Sequence, residues 1–364
     1  MTSEIDAFLR LKMSPGVGDR RISALVELFG SGVSALRAAE AQGSLFNPLQ
    51  DPPAFSTWGE KGIRALPMTD GDYPAVLREL TDPPPLLFLK GRERLLGDPS
   101  VAIVGSRRAT EGGRSVAEAL GRRLGAAGIT VVSGMALGID GAAHRGALSV
   151  GGKTVAVLGS GLDVVYPPGH RGLFKELGKR GLLVSEFLPW EAALPHHFPK
   201  RNRIIAALVQ AIIVVEAGER SGALITVDHG LDMGRDILAV PGSLQNPQAR
   251  GTNALIRDGA RLISDPEAIL DEFPLLVEQA AAARRMDPEG ADRDPAEDLS
   301  LPPPEATVPR DLQALWRALG PEPRGVDTLA EGVGLTPGEV LAGLSMLELL
   351  GRASRCPGMR YRRA

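Results

Sequence analysis

The sequence predicts an α/β protein whose central domain is a doubly wound, mostly parallel β-sheet. Between residues 101 and 264, short apolar runs alternate with segments of helical periodicity. Strands that are apolar on both faces and alternate with helices are typical of a parallel sheet covered on both sides. The runs are VAIVG at 101–105, TVVSG at 130–134, TVAVLGSG at 154–161, LLVSE at 182–186, AIIVVEAG at 211–218, DILAVPG at 236–242 and RLIS at 261–264.

Length and composition indicate a globular protein of several domains. The chain has 364 residues, of which 43% are hydrophobic and 23% charged, which excludes a collagen, a coiled coil and a wholly disordered chain. No apolar run reaches the roughly 18 residues of a membrane helix, and the first residues do not resemble a signal peptide. We therefore expect a cytoplasmic protein without a membrane partner. The single cysteine, Cys356, offers neither a disulfide nor a cysteine-built metal site, and we expect no metal and no cofactor.

The N-terminal segment has the pattern of a helical hairpin. Apolar residues recur at helical spacing on both sides of a glycine-containing turn at 14–18, and Asp19 follows as a candidate helix cap. The pattern is similar to a helix-hairpin-helix element, in which N–H groups at a helix start face a phosphate. A hairpin whose glycines only form the corner explains the same pattern, and both interpretations stay open.

The C-terminal segment predicts a winged helix. Three helical patterns, at 311–319, 326–334 and 336–351, precede a basic hairpin with Pro357-Gly358 at its tip. The third helix carries Glu339 and Glu348 but no lysine or arginine, which argues against strong reading of duplex DNA. Two roles stay open, namely phosphate contact through the wing and protein binding.

These patterns divide the chain into four parts. We predict a helical domain at 1–80, the sheet domain at 81–279, a linker at 280–309 and the winged helix at 310–364. The linker prediction rests on a stretch that is rich in proline and acidic residues and has few large apolar side chains.

The predicted strand ends point to an anion site. In an open parallel sheet, ligands bind beyond the carboxyl ends of the strands. Here these ends carry glycine and serine, including Gly105-Ser106-Arg107 and Ser133-Gly134, whose backbone and hydroxyl donors suit phosphate oxygens. The dinucleotide fingerprint G-x-G-x-x-G is incomplete after the first and third strands, which argues against a nicotinamide enzyme. Asp140 and His144 are interpreted as a buried hydrogen-bonded pair that orients the site.

A basic segment supplies candidate side chains for nucleic acid. Lys200, Arg201 and Arg203 lie within four positions, and Phe198 comes just before them. Cations that follow a phosphate backbone beside a ring that stacks on a base are typical of single-strand binding. No nucleophile–base arrangement is evident in the sequence.

Long motifs resemble one protein family. They include GSRR at 105–108, SGMALGIDGAAHRGAL at 133–148, TVAVLGSGLDVVYPPGHRGLF at 154–174, FPKRNRIIAAL at 198–208 and AVPGSLQNPQARGTNALIRDGA at 239–260. These motifs resemble the DNA-processing protein A family, also called DprA or Smf. The resemblance implies a Rossmann-like central domain, a sterile-alpha-motif-like helical domain before it and a winged helix after it.

The resemblance also implies a function. Members are expected to bind and protect single-stranded DNA during natural transformation, to load the RecA recombinase onto it, to form a homodimer and not to be enzymes. On matching positions, the expected DNA-binding residues are Gly105, Ser106, Arg107, Arg108, Ser133, Gly134, Phe198, Lys200, Arg201, Asn202 and Arg203.

A rival function is a nucleotide-processing enzyme on a sheet similar to that of the phosphoribohydrolases. The segment SGALIT at 221–226 stands where those enzymes carry PGGxGTxxE, and it lacks the catalytic glutamate. We therefore prefer the DNA-binding hypothesis.

Overall fold

The computed structural model describes residues 3–41, 56–286, 312–320, 323–349, 353–356, 358 and 360–363. The chain divides into two compact units, Met1–Pro288 and Glu289–Ala364. Each unit has its own hydrophobic core and is described by itself.

The first unit is built on a nine-stranded sheet with the strand order β1-β2-β6-β5-β4-β3-β7-β8-β9. The seven strands from β3 onward are mutually parallel, while β1 and β2 pair antiparallel at one edge. The strands are β1 Arg64–Pro67, β2 Leu86–Gly91, β3 Ser100–Val104, β4 Thr130–Ser133, β5 Thr154–Val157, β6 Leu182–Ser185, β7 Ala211–Val214, β8 Asp236–Ala239 and β9 Arg261–Leu262. The predicted mostly parallel α/β sheet is confirmed.

Twelve helices of the first unit are described. They are α1 Glu4–Met13, α2 Asp19–Phe29, α3 Gly32–Ala41, α4 Ser56–Glu60, α5 Ala75–Arg78, α6 Glu111–Ala127, α7 Ile139–Ser149, α8 Arg171–Arg180, α9 His197–Ala207, α10 Gly222–Asp232, α11 Arg250–Arg257 and α12 Pro274–Met286. Local chemistry sets several ends. The Thr110 hydroxyl accepts from the Gly113 amide at the start of α6, and Gly128 ends this helix in the left-handed region.

The two faces of the sheet pack against different helices. Alternate residues of β3 enter different cores: Ala102 belongs to the core that contains Ile204 of α9, and Ile103 belongs to the core that contains residues of α6 and α7. Fully buried strands such as β3 therefore lack polar alternation, which is the pattern that predicted them.

Strand order reverses beside β3. This strand pairs with β4 on one side and with β7 on the other, and the chain moves outward in opposite directions from there. In doubly wound sheets, such a switch point opens a crevice at the carboxyl ends of the strands.

Two predicted domain boundaries need correction. Strand β1 at Arg64–Pro67 belongs to the large sheet, so a boundary at residue 80 would cut through that sheet. The predicted linker starts at 280, but α12 continues to Met286 and buries Ala280. Composition predicted the linker too early because alanine-rich sequence also forms helices. Residues 287–309 of the predicted linker lie outside the described residues.

The second unit contains three helices and a small antiparallel sheet. The helices are α13 Gln313–Ala318, α14 Val326–Val333 and α15 Pro337–Leu349, and the strands are β10 Arg324–Gly325, β11 Ala353–Cys356 and β12 Arg360–Arg363 in the order β10-β12-β11. Leu315, Val340 and Tyr361 pack together in its core. This is the predicted winged-helix arrangement.

None of the described helices is by itself long and apolar enough to cross a membrane, and only the bent pair formed by α2 and α3 among them has the length and composition to do so.

Close packing of α6 on α7 provides a test of the fold. A Cβ on Gly121 would lie 2.3 Å from the Ala143 carbonyl oxygen, whereas a Cβ on Gly172 in α8 would meet no atom within 4 Å. We expect Gly121→Ala to lower the free energy of unfolding by about 1–3 kcal/mol because the helices must separate. Gly172→Ala should raise it by about 0.5 kcal/mol because alanine favours helix. Urea denaturation measures the free energy of unfolding of both variants. Equal changes in the two variants would contradict the close packing of α6 on α7.

Candidate functional site

A cavity of about 660 Å³ opens at the switch point of the sheet. Residues after β3 form one wall, the start of α10 forms the opposite wall, and α9 closes a third side. The Ser106 amide donates to the Glu216 carbonyl at 2.6 Å, which ties the ends of β3 and β7 together beneath the cavity. The cavity lies at the carboxyl edge of the sheet, where the strand ends predict an anion site.

The structure brings together seven of the eleven predicted site residues. The cavity is lined by Gly105, Ser106, Arg107, Arg108, Phe198, Arg201 and Asn202. Gly134 lies instead in a smaller adjoining depression of about 50 Å³, which also touches Arg107 and Phe198. Ser133, Lys200 and Arg203 line neither space.

Arg107 and Phe198 form a cation–ring contact at the mouth of the cavity. The exposed guanidinium of Arg107 lies 4.5 Å from the centre of the Phe198 ring. Phe198 also contacts Tyr166, with ring centres 5.4 Å apart, and Tyr166 is 41% exposed. The site thus presents a cation and an aromatic face side by side, and Tyr166 is an addition to the predicted residues.

Arg201, one of the predicted DNA-binding residues, is buried. It is 3% exposed, and its guanidinium donates to the Gly134 carbonyl at 2.7 Å and to the Val157 carbonyl. Burial lowers the pKa of Arg201 to about 10, although the nearby Asp140 acts to raise it. This side chain joins α9 to the ends of β4 and β5, and the contact of Arg201 with DNA stays a prediction.

The side chains of two other predicted site residues, Ser133 and Asn202, form hydrogen bonds within the protein. The Ser133 hydroxyl is fully buried and donates to the Ile103 carbonyl at 2.6 Å. Asn202 donates to the Gly222 carbonyl at 3.1 Å and accepts from Arg201, so it holds α9 against the start of α10. The Ser133 hydroxyl is therefore committed to the sheet and does not enter the cavity.

Lys200 and Arg203 lie on the opposite face of α9. Arg203 forms two hydrogen bonds with the carboxylate of Glu186, at 2.7 and 2.8 Å. Lys200 pairs with Asp19 of α2 at 2.5 Å and with Glu186 at 3.2 Å. Neither cation lines the cavity, because both are held by buried carboxylates, and their contact with DNA stays a prediction. Asp19 occupies the first turn of α2, which favours the structural interpretation of the N-terminal hairpin over phosphate binding.

The sequence did not predict three polar features of the cavity. Arg220 is exposed on the wall opposite Arg107, and the α10 N-terminus follows it, with Ser221 as its cap. Gln248 lies beyond β8, and its carbonyl accepts from the Ser106 hydroxyl at 2.7 Å. These residues come from two separate loops, one before α10 and one after β8, so only the assembled topology places them together.

The cations of the cavity mouth lack carboxylate partners. Within the described ranges, Arg107, Arg108 and Arg220 form no ion pair. Asp140 is the one carboxylate among the described residues that line the cavity. Burial raises the pKa of Asp140, and the charge of Arg201 opposes that shift. The cavity mouth is consequently electropositive.

Glu216, Asp140 and His144 form hydrogen bonds that stabilise the fold around the cavity. Glu216 accepts from the Thr110 amide and hydroxyl at 2.8 and 2.6 Å, so it anchors the start of α6. His144 contacts the Thr154 hydroxyl at 2.7 Å, and burial lowers its pKa to about 3. Asp140 accepts from the Ala136 amide instead, so the prediction of a hydrogen-bonded Asp140–His144 pair is wrong. No cluster of three or more potential metal ligands occurs among the residues that the structure describes.

Fold and cavity together define an α/β protein with a cationic, aromatic-lined site at the switch point of a parallel sheet. Family models match both units. Residues 64–274 match the DNA recombination-mediator protein A model, and residues 300–359 match the DprA winged helix domain model. The chain belongs to the DNA-processing protein A family, which includes the proteins called Smf and DprA.

Individual relatives agree with this assignment. The chain is 36% identical over 361 residues to the protein Smf of Synechocystis sp., covering 93% of this chain and 89% of the relative. It is 46% identical over 204 residues to the DNA processing protein DprA of Streptococcus pneumoniae, covering 56% of this chain and 72% of the relative.

Solved structures show the same fold. The X-ray structure of DNA processing protein A from Streptococcus pneumoniae is similar with a TM-score of 0.66 and 37% identity, covering 74% of this chain and 98% of that one. A structure of DNA processing protein A from Helicobacter pylori gives a TM-score of 0.53 and 29% identity, covering 58% and 94%. The latter is described as giving insight into a single-stranded DNA binding mode.

The ion pairs of Asp19 predict a dependence of stability on pH. Burial acts to raise the pKa of Asp19, but the charges of Lys12 and Lys200 outweigh it and lower the pKa from 3.8 to about 2. A lowered folded-state pKa stabilises the fold above pH 3.8, and this stabilisation is lost as the pH falls toward 2. We expect Asp19→Asn to lower the free energy of unfolding at pH 6 and to have little effect at pH 2. Urea denaturation at both values measures this, and a pH-independent effect would contradict it.

Proposed function

We propose that this protein binds and protects single-stranded DNA in the switch-point cavity and helps load a RecA-type recombinase onto the strand. The observation that carries the proposal is the group of exposed arginines at the cavity mouth, which have no carboxylate partner among the described residues and lie beside an aromatic pair and a helix N-terminus. The Helicobacter pylori relative, whose structure concerns single-stranded DNA binding, supports the choice of ligand.

We propose different tasks for the cavity residues. Arg107, Arg108 and Arg220 provide charge for phosphate groups, and the backbone donors at the start of α10 provide neutral hydrogen bonds. The half-exposed ring of Tyr166 offers a surface on which a base stacks, worth about 1–3 kcal/mol per base. Phosphate contacts carry no sequence information, so binding should depend weakly on sequence and strongly on salt.

Catalysis has little support in the cavity. Among the described residues, Glu186 and Glu216 are both held by structural hydrogen bonds, and Asp140 faces no histidine partner. We therefore propose that the protein is not an enzyme. The rival function, nucleotide processing, predicts hydrolysis of a nucleoside monophosphate, and an assay with such a substrate decides between the two.

The arginines of the cavity mouth give the direct test of DNA binding. We expect Arg107→Ala with Arg220→Ala to weaken binding of a labelled single-stranded oligonucleotide by about 1–3 kcal/mol because two phosphate contacts are lost. The slope of log Kobs against log salt should decrease by about 0.7 for each contact. Fluorescence anisotropy over a salt series measures both quantities.

A matched control is Arg257→Ala, which removes an exposed arginine that pairs with Asp258 and does not line the cavity. The Arg257→Ala variant should bind the oligonucleotide with the same affinity and the same salt slope as the unmodified protein. Unchanged binding by the double variant would exclude the cavity as the DNA site, and a preference for duplex DNA would transfer the site to the winged helix.

Recombinase loading rests on the family rather than on a surface of this chain. The matching family model describes a recombination mediator, which supports delivery of the strand to a recombinase. We further propose a homodimer, because two cavities on one particle would increase avidity for a long strand. We propose that the sheet unit holds the strand. The winged helix, which follows the acidic linker in sequence, would make a second contact, either with phosphate groups through its wing or with a protein.

Loading predicts a kinetic effect. We expect the protein to accelerate assembly of a RecA-type recombinase on single-stranded DNA, and the Arg107→Ala, Arg220→Ala variant to lose most of this acceleration. Filament assembly followed by fluorescence of a labelled strand checks the expectation. Normal acceleration by a variant that binds DNA poorly would separate loading from the cavity.

A further inference from the structure

Helix α9 has two functional faces. Phe198, Asn202 and Ile205 recur at a spacing of three or four residues and line the cavity. Lys200 and Arg203 lie between them in sequence and project from another face toward the N-terminal helices. DNA binding uses the first face, and the proposed function leaves the second face without a role.

The second face carries a buried ionic cluster, which we call the docking cluster. It contains two carboxylates with 7% and 0% side-chain exposure, those of Asp19 and Glu186. Asp19 accepts from Lys12 at 2.6 Å and from Lys200 at 2.5 Å, and Glu186 holds Arg203. The docking cluster therefore connects α1 and α2 to α9 through charges that are largely withdrawn from water.

The N-terminus of α9 depends on negative charge that other elements supply. No side chain caps the helix, its first turn contains no acidic residue, and Lys200, Arg201 and Arg203 follow within seven residues of its start. Cations near a helix N-terminus oppose the helix dipole. Asp19 and Glu186 supply from other elements the negative charge that the helix lacks.

We propose that Asp19 is a positioning residue for the DNA site, docking the N-terminal helices on α9 and so fixing the cavity face of that helix. The inference rests on the proposed function, because the effect it predicts is on single-strand binding. Neutralising Asp19 removes the charge that pairs with Lys12 and leaves Lys200 with Glu186 as its carboxylate partner, so the ionic connection between α2 and α9 is lost and their separation is favoured. The first turns of α9 then lose their support, and Phe198 and Arg107 lose their fixed contact.

The sign of the effect separates positioning from simple electrostatics. Removing a negative charge near a DNA site should strengthen binding if only charge matters. Positioning predicts that Asp19→Asn in the full chain weakens binding of a labelled oligothymidylate by about fivefold, with the salt slope unchanged because no phosphate contact is lost. Asp6→Asn is the matched control, since it neutralises a carboxylate of α1 that pairs with Arg10 at 3.0 Å and with no other cation among the described residues. It should bind like the unmodified protein.

Two further measurements keep the test decisive. Lys200→Met should weaken binding to a similar extent with an unchanged salt slope, whereas a slope reduced by about 0.7 would mean that Lys200 contacts phosphate and would overturn the proposal. Amide hydrogen exchange without DNA should increase at residues 197–203 in Asp19→Asn but not in Asp6→Asn. Thermal denaturation confirms that each variant is folded at the assay temperature.

The outcomes distinguish the two proposals. Equal or tighter DNA binding by Asp19→Asn, or unchanged exchange at 197–203, would refute the positioning role of Asp19. If the unmodified protein bound no single-stranded DNA, the proposed function would fail, and the exchange measurement would still decide whether Asp19 positions α9.

Discussion

The site depends on one buried interaction, in which Arg201 donates to the carbonyl groups that end β4 and β5. Parallel strands leave such carbonyls unsatisfied at their carboxyl ends, and a buried unsatisfied acceptor costs about 1–3 kcal/mol. Arg201 satisfies two of them and anchors α9 across the sheet edge. A Cβ on Gly134 would lie 2.1 Å from a guanidinium nitrogen, so glycine is required for this approach.

This anchoring explains why cations in one short segment have different roles. Burying a guanidinium is costly unless its donors are satisfied, and carbonyls satisfy Arg201 while Glu186 satisfies Arg203. Arg107 and Arg220 remain exposed and without carboxylate partners among the described residues, so their charge stays available to a ligand. The buried arginines build the cavity, and the exposed ones make it electropositive.

The same distinction limits what sequence alone predicts. Apolar runs that end in glycine and serine predicted the sheet and its carboxyl edge, and Arg107 followed from its place after β3. The density of basic residues at 200–203 did not reveal which side of α9 would be buried, because the partner carbonyl at Gly134 is 67 residues away in sequence. Tyr166, Arg220 and Gln248 belong to separate loops, and only the strand order places them around one cavity.

The arrangement of charge and rings also bears on the proposed preference of the cavity for a single strand over a duplex. Tyr166 and Phe198 lie 5.4 Å apart at the mouth, beside the guanidinium of Arg107. An aromatic face can stack only on a base whose own face is open, and in a duplex the bases already cover one another. Phosphate contacts alone would not discriminate between the two forms. Selectivity for a single strand would therefore reside in the rings, while the arginines beside them would provide most of the salt-dependent affinity.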